Sequence, residues 1–426
     1  MSDTGEPNGG APSSSPGGAP GDAAARRAQR AGERPRLLLL TPDYPPSHGG
    51  IQLMAHRLAC DIGGFQTRVL ALDCPGAREF DAGESVDVRR VRSRGGSPPA
   101  RGAQLNLAGV LAALRFRPHV TLNLHLIASP AAVLIRSLLG APTVQVFHAQ
   151  EIGGKPRLAA FAAARADVVI AVSRYTAGLV AATGASPARL RLISPGVDLP
   201  PERSGRTADG PERTADGPAP AAQGDGRPTF VTVARLRDSY KGHDVLVRAL
   251  PAVRARVPDV QWAVIGEGPL RPELERMARE QGVADCVRFL GALEDEQRDG
   301  WLARADLLAM PSRLPGGKLA GEGFGIAFLE AGAHGKPVVA GAVGGALDAV
   351  LDGQTGLLVD PTNPQAVADA IVRLLLDREL AQRLGRAGAE HARSLAWPLV
   401  AERVEGALFE ALERRGAERV ATRPST

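Results

Sequence analysis

The chain has 426 residues, 44% of them hydrophobic, and a formal net charge of +5. That is too long for one ordinary core and apolar enough for two, so two domains of roughly 150 to 200 residues are expected. The small basic excess suits an Arg-rich solvated surface or contact with phosphates or an anionic membrane face; no nucleic-acid partner is expected. Cys60, Cys74 and Cys286 are widely spaced and form no Cys-x-x-Cys pair. Their spacing predicts a reducing compartment, no disulfide framework and no zinc site. No apolar run approaches the roughly 18 residues of a membrane span. The first residues lack the apolar stretch of a signal peptide, so a cytoplasmic location is expected.

Residues 1–34 are rich in Gly, Ala, Pro, Ser and Arg and read as a disordered tail. From Arg36 the chain alternates short apolar runs with helical stretches. "RLLLLT" (36–41), "RVLAL" (68–72), "VTLNL" (120–124), "TVQVF" (143–147), "VVIAV" (168–172) and "LRLIS" (190–194) read as strands. Residues 50–62, 104–115, 129–139 and 175–183 read as helices. Alternation of this kind predicts a parallel sheet covered on both faces, here a first Rossmann-like domain over 35–200. Within it "RRVRSRGGSPPAR" (89–101) places five arginines in what reads as a loop. A solvated loop is one reading; contact with an anionic lipid headgroup or phosphate is the other.

Residues 201–228 break the pattern. They contain "RTADGPE" and then "RTADGPA", too short and polar for a solenoid unit, and read as a flexible linker. A second alternating series follows over 229–396. Its strands are "TFVTVA" (229–234), "VQWAVI" (260–265), "CVRFL" (286–290), "LLAM" (307–310), "PVVA" (337–340) and "GLLV" (356–359). Residues 397–426 read as an amphipathic helix from Trp397 to about Arg415, plus a tail. The fold class is α/β: two doubly wound, Rossmann-like domains facing a cleft, with ligands at the carboxyl ends of the strands.

Four stretches fall at such ends. "GEGFGIAFLE" carries Glu322 before a helix start and Glu330 eight positions on. Gly323 and Gly325 allow close approach of backbone to a ligand, with Phe324 between them, and the helix N-terminus suits a diphosphate. Each glutamate alone also reads as an ordinary solvated residue. "VARLRDSYKG" puts Arg235 and Lys241 in one strand-to-helix loop. Two cations there can neutralise a diphosphate, or simply be exposed basic residues. "PSHGGIQ" opens the first helix with Gly49 and Gly50, a phosphate-binding start or any tight turn. "VFHAQE" sets His148 just past a strand, where a lone histidine is more often structural than functional.

In order and spacing these four stretches resemble the retaining GT4-type glycosyltransferases of the GT-B fold, over about Arg36 to Arg415. The resemblance implies roles. Glu330 would hold the ribose of a sugar nucleotide, and Glu322 with Gly323, Phe324 and Gly325 the hydroxyls of the transferred sugar. Arg235 and Lys241 would stabilise the leaving diphosphate, with Gly50 donating an N–H and His148 beside the sugar. Backbone near Ala292 and Leu293, in "GALEDE" (291–296), would grip the base. The donor would be GDP-mannose or a UDP-sugar and the acceptor a hydroxyl, with an anionic lipid a candidate that would bring the protein to the inner face of the membrane. No Asp-x-Asp occurs, so neither a metal nor another cofactor is expected in the transfer. The glycine-rich segments are most similar to bacterial phosphatidylinositol-mannoside mannosyltransferases, whereas "HAQE" departs from their usual His-Gly-His-Glu. The competing classes are a sugar-nucleotide epimerase of the same fold and a nucleotide-binding regulatory protein. "VIGEGPL" lacks the third glycine of a dinucleotide fingerprint, and no Gly-x4-Gly-Lys-Ser/Thr occurs, which argues against NAD enzymes and P-loop ATPases.

Overall fold

A computed structural model describes residues 34–92, 97–201, 226–314 and 321–421, with side chains to residue 417. The expected N-terminal tail and most of the expected linker lie outside these residues. The first half comprises β1 (Arg36–Leu40), α1 (Gly50–Asp61), β2 (Gln66–Leu72), α2 (Ala77–Ala82), β3 (Asp87–Val91), α3 (Pro98–Phe116) and β4 (Val120–Asn123). It continues through α4 (Ser129–Leu139), β5 (Thr143–Phe147), α5 (Ala149–Gly154), α6 (Pro156–Arg165), β6 (Val168–Ala171), α7 (Arg174–Ala181) and β7 (Leu190–Leu192). Among the described residues its seven strands are all parallel, in the order β3-β2-β1-β4-β5-β6-β7. Strands β4, β5 and β6 are buried at every position, because helices cover both faces.

The second half comprises β8 (Thr229–Val233), α8 (His243–Arg256), β9 (Gln261–Ile265), α9 (Arg271–Glu280), β10 (Val287–Gly291), α10 (Asp295–Arg304) and β11 (Leu307–Met310). Then come α11 (Ile326–Ala333), β12 (Val338–Gly341), α12 (Ala346–Ala349), β13 (Gly356–Val359), α13 (Pro364–Leu376), α14 (Arg378–Ser394) and α15 (Trp397–Ala421). Its parallel sheet runs β10-β9-β8-β11-β12-β13. Both sheets reverse their winding beside their first strand, between β1 and β4 and between β8 and β11. Crevices open at the carboxyl ends of such pairs.

One expectation needs correction. The arginine-rich segment 89–101 is not a loop: Arg89 and Arg90 lie in edge strand β3, and α3 begins at Pro98. An edge strand tolerates charges that hide its alternation, and two prolines suit a helix start. Arg90 turns inward, ion-pairs with Asp81 at 2.7 Å and lies over the Tyr44 ring. Only 93–96 of this segment fall outside the described residues.

Helix α15 returns to the first half. Trp397, Val400, Val404 and Leu408 share a core with Leu37, Leu39, Val69, Val144 and Ile170. Glu405 accepts a hydrogen bond from the Gly64 amide at 2.8 Å, and Glu410 pairs with Arg191 at 2.5 Å. Among the described residues no helix is long and apolar enough to cross a membrane.

Candidate active site

Two helix N-termini meet in the cleft. Helix α1 follows Gly49 and helix α11 follows Gly325; neither start has a side-chain cap or an acidic residue in its first turn. Their free N–H groups and positive dipole ends are therefore available to an anion. The two starts approach closely, since a Cβ on Gly50 would sit 3.2 Å from the Cδ1 of Ile326. Gly323 faces the first residue of α5 in the same way: its Cβ would lie 3.8 Å from the Ala149 amide nitrogen. The second half's glycine loop thus reaches the neighbour of His148.

The loop owes its shape to a glycine pair that the sequence reading did not single out. The Gly345 amide donates to the Glu322 carbonyl at 2.8 Å, and a Cβ on Gly345 would fall 2.0 Å from the Gly323 oxygen. No larger residue allows this backbone-on-backbone contact. "GAVGG" (341–345), opening short helix α12, was the available signal.

Lys241 and Glu322 form a part-buried pair, Nζ to Oε2 2.5 Å. Lys241 is delivered by a tight turn: Gly242 has φ 82°, and a Cβ there would sit 2.3 Å from the Pro311 carbonyl oxygen. Burial works to lower the pKa of the ammonium, but Glu322 and Tyr240 override it and the net shift is upward. Lys241 is therefore a fixed cation. Arg235 differs: its side chain is 61% exposed and, among the described residues, ion-pairs with Asp238 at 3.3 Å. It is free to turn towards an incoming anion.

Glu330 lies on α11, part-buried, with Arg298 of α10 at 3.8 Å. Burial raises its pKa, and Arg298 opposes that shift. Arg298 also bonds Asp299 at 3.0 Å. Sequence reading did not find Arg298, which lies 32 positions from Glu330 with no motif linking them.

His148 is the N-cap of α5, at the end of β5, with Nε2 3.2 Å from the Leu124 carbonyl. Burial lowers its pKa, so a neutral imidazole faces the cleft at pH 7. Beside it Glu151, 8% exposed, takes His125 Nδ1 at 2.7 Å and the Leu126 amide at 2.9 Å. Gln150, which with Ala149 departs from the family pattern, crosses the cleft to hydrogen-bond the Tyr240 hydroxyl. A second bridge joins Arg174 to Asp348 at 2.5 Å. Ala292 is exposed, and Leu293 packs beneath it against the core, just after the left-handed Gly291. At Gly266 and Gly268 of "VIGEGPL" a Cβ would fall 2.0 Å from the Ala234 carbonyl oxygen and 2.4 Å from that of Leu236, so these glycines serve close backbone packing.

Comparison with known proteins decides the family. The family described as Glycosyltransferase Family 4 matches residues 48–200, and Glycosyl transferases group 1 matches residues 218–391. A Mycolicibacterium smegmatis protein, a GDP-mannose-dependent alpha-(1-6)-phosphatidylinositol monomannoside mannosyltransferase, is 36% identical over 371 residues, covering 84% of this chain and 93% of its own length. The chain belongs to the GT4 glycosyltransferases. The Mycobacterium tuberculosis protein of the same description is 34% identical over 372 residues, covering 83% and 93%. Among solved structures, Anabaena HepE in complex with UDP and glucose superposes with TM-score 0.69 at 19% identity, covering 91% of this chain and all of that one. WaaG, a glycosyltransferase of lipopolysaccharide biosynthesis, gives 0.62 at 18%, covering 87% and 98%. These likenesses show that the transferase has the GT-B fold. Its cleft brings together helix starts from both sheets and cations from one.

Proposed function

We propose that this transferase moves mannose from GDP-mannose, with retention, to a hydroxyl of a phosphatidylinositol-mannoside lipid. The observation that carries the reading is the identity of about a third to relatives of that description across nearly their whole length. On this reading residues 35–200 form the acceptor domain, 229–396 the donor domain and 397–426 the returning helix and tail. The lipid acceptor brings the protein to the inner face of the membrane.

Donor recognition is divided. Glu330 accepts hydrogen bonds from the ribose hydroxyls, and backbone around Ala292 and Leu293 meets the base. The diphosphate lies on the N–H groups of Gly50 and the start of α11, with Arg235 swung over it and Lys241 behind. Glu322, Gly323, Phe324 and Gly325 fix the sugar from one side and neutral His148 from the other. As the glycosidic bond lengthens, charge grows on the diphosphate oxygen, where fixed donors and cations act most strongly. The acceptor attacks from the leaving-group face and passes its proton to the departing phosphate, so no side chain serves as general base. Transfer needs no divalent metal, because Arg235, Lys241 and two helix starts do that work.

The test offers full-length protein a panel of GDP- and UDP-sugars with phosphatidylinositol-mannoside micelles and with soluble inositol phosphate, and reads products by mass spectrometry. Mannosylated lipid from GDP-mannose, undiminished by EDTA, is expected. Transfer only from a UDP-sugar, only to inositol phosphate, or only with added Mn²⁺ would overturn the corresponding part.

A further inference from the structure

Away from the cleft, three side chains of different chemistry converge on the outer end of α1. His56 Nε2 lies 3.0 Å from each carboxylate oxygen of Glu84. Cys60 Sγ lies 3.6 Å from the same His56 nitrogen and 3.8 Å from Glu84 Oε2. Zinc bonds of about 2.0 Å to nitrogen or oxygen and about 2.3 Å to sulfur give tetrahedral ligand–ligand edges of roughly 3.3 to 3.6 Å. The His56–Cys60 separation matches, while the His56–Glu84 hydrogen bond is a few tenths of an ångström shorter and the Cys60–Glu84 separation slightly longer. His56 and Cys60 are four apart on one helix and share its face. Glu84 arrives from the turn between α2 and β3, and no cysteine-spacing rule could have joined it to them.

A second observation points to a missing ligand at this place. Tyr44 is 1% exposed, and its hydroxyl has no hydrogen-bond partner among the described residues. Its ring packs edge-on to His56 at 5.8 Å, and Phe80 closes the apolar wall at 5.5 Å from His56. A water on the fourth vertex of a metal would be the kind of partner the Tyr44 hydroxyl lacks.

We propose that His56, Cys60 and Glu84 bind a zinc-class divalent cation, three protein ligands and one open position, which braces α1 against the α2–β3 turn. A thiolate, an imidazole and a carboxylate at near-tetrahedral spacing select a borderline-soft ion over Mg²⁺ or Ca²⁺. The ion sits apart from the transfer chemistry: His56 is six residues, about 9 Å along the helix, from Gly50. It acts on the site only by holding the helix whose start lies there.

Tag-free, full-length protein titrated with Co²⁺ should develop a thiolate-to-metal charge-transfer absorption at one equivalent. Zn²⁺ should abolish it by competition and raise Tm, by on the order of 5 °C at a hundredfold excess over Kd. Cys60 is exposed, so Cys60→Ser should fold normally and lose the band; Glu84→Gln should weaken binding at least about tenfold. Chelation of the holo protein should lower Tm and leave turnover at saturating donor unchanged. The site is refuted if the band persists in Cys60→Ser, which would put the metal on Cys74 or Cys286, or if Co²⁺ and Zn²⁺ show no saturable binding up to about 100 µM. Loss of turnover in step with chelation would overturn the bracing role.

Discussion

The first sheet and the second follow one winding scheme, the first with an added edge strand, yet their cores close differently. The larger core of the second half lies wholly between Phe230 and Leu384. The first half's core takes Trp397, Val400, Ala401, Val404, Ala407, Leu408, Phe409 and Ala411 from the chain's last described helix. The groups proposed for the site divide along the same line. The second half supplies the charged groups Arg235, Lys241, Glu322 and Glu330; the first supplies a helix start at Gly50 and a neutral histidine. The second half's larger core is therefore self-contained, although a smaller cluster there takes Val197 from the first half, and the first half is a platform whose largest core needs the chain's end.

Ending the chain at Ser394 gives the largest expected effect. Trp397, Val400, Val404, Leu408 and Phe409 are each at most 7% exposed. Their burial contributes together on the order of 10 kcal/mol, comparable to the whole stability of a domain. The truncated chain should lose the first half's melting transition and all turnover while the second half still melts cooperatively and binds nucleotide. Calorimetry with a nucleotide titration reads both. A truncated chain that melts in one transition near the full-length temperature would dissolve the contrast between the halves.

Next come the two cations, which should be equal in kinetics and unequal in stability. Arg235→Ala and Lys241→Ala should each lower kcat by roughly two to three orders of magnitude. Lys241→Ala also strands part-buried Glu322 and should cost about 3 kcal/mol of stability, whereas Arg235→Ala should cost less than about 1. The double variant Lys241→Ala/Glu322→Ala should recover most of that stability and none of the turnover. Equal melting temperatures for the two single variants would mean that the Lys241–Glu322 pair is not held in solution.

Glu330 gives a smaller effect with a pH signature. Burial raises its folded pKa, so its stability contribution is present at low pH and is lost as pH rises through that value. On the proposed reading nucleotide binding has the opposite sign, because ribose hydroxyls would donate to the ionised carboxylate. GDP affinity should fall as pH drops through the raised pKa. Glu330→Gln should bind GDP about 10- to 100-fold more weakly at neutral pH, and lose that part of the pH dependence while keeping the phosphate's own. Glu322→Ala should spare GDP binding and lower turnover. Identical pH profiles for wild type and Glu330→Gln would remove Glu330 from the ribose.

How much could be read beforehand follows from the reach of each signal. Buried parallel strands write themselves as apolar runs, so β1 and β8 were visible, as was the helix start after Gly325. Edge strand β3 was not, because Asp87, Arg89 and Arg90 face solvent or ion pairs and break the alternation. Motifs confined to one loop, such as Glu322 with Gly323 and Gly325, were equally legible. Partners that meet only through the fold were not. Arg298 reaches Glu330 from another helix, Gln150 and Tyr240 meet from opposite sheets, and Glu84 joins His56 across a turn. Gly344 and Gly345 lie between, since the pair was in plain view but its contact with Gly323 depends on the packing of two loops.

The smallest effect belongs to the bridge between the halves. Arg174 Nε contacts Asp348 at 2.5 Å, but the arginine side chain is 70% exposed. The Arg174 backbone amide also donates to Asp348 Oδ2, at 2.8 Å, at the start of α7. Arg174→Ala removes the solvent-screened ion pair and a long 3.4 Å hydrogen bond to the Leu347 carbonyl but leaves the amide contact, so it should cost less than about 1 kcal/mol. Asp348→Ala removes both contacts together with a carboxylate at a helix N-terminus, and should cost about 1 to 2 kcal/mol. If this bridge helps to close the cleft, KM for the donor should rise up to about fivefold in Arg174→Ala with kcat nearly unchanged, since the cations of the second half remain in place. The difference from wild type should shrink as salt rises from 50 to 500 mM, because only the exposed pair is screened. A fall in kcat as large as that of Arg235→Ala would instead make the first half a source of catalytic charge, contrary to its role as a platform.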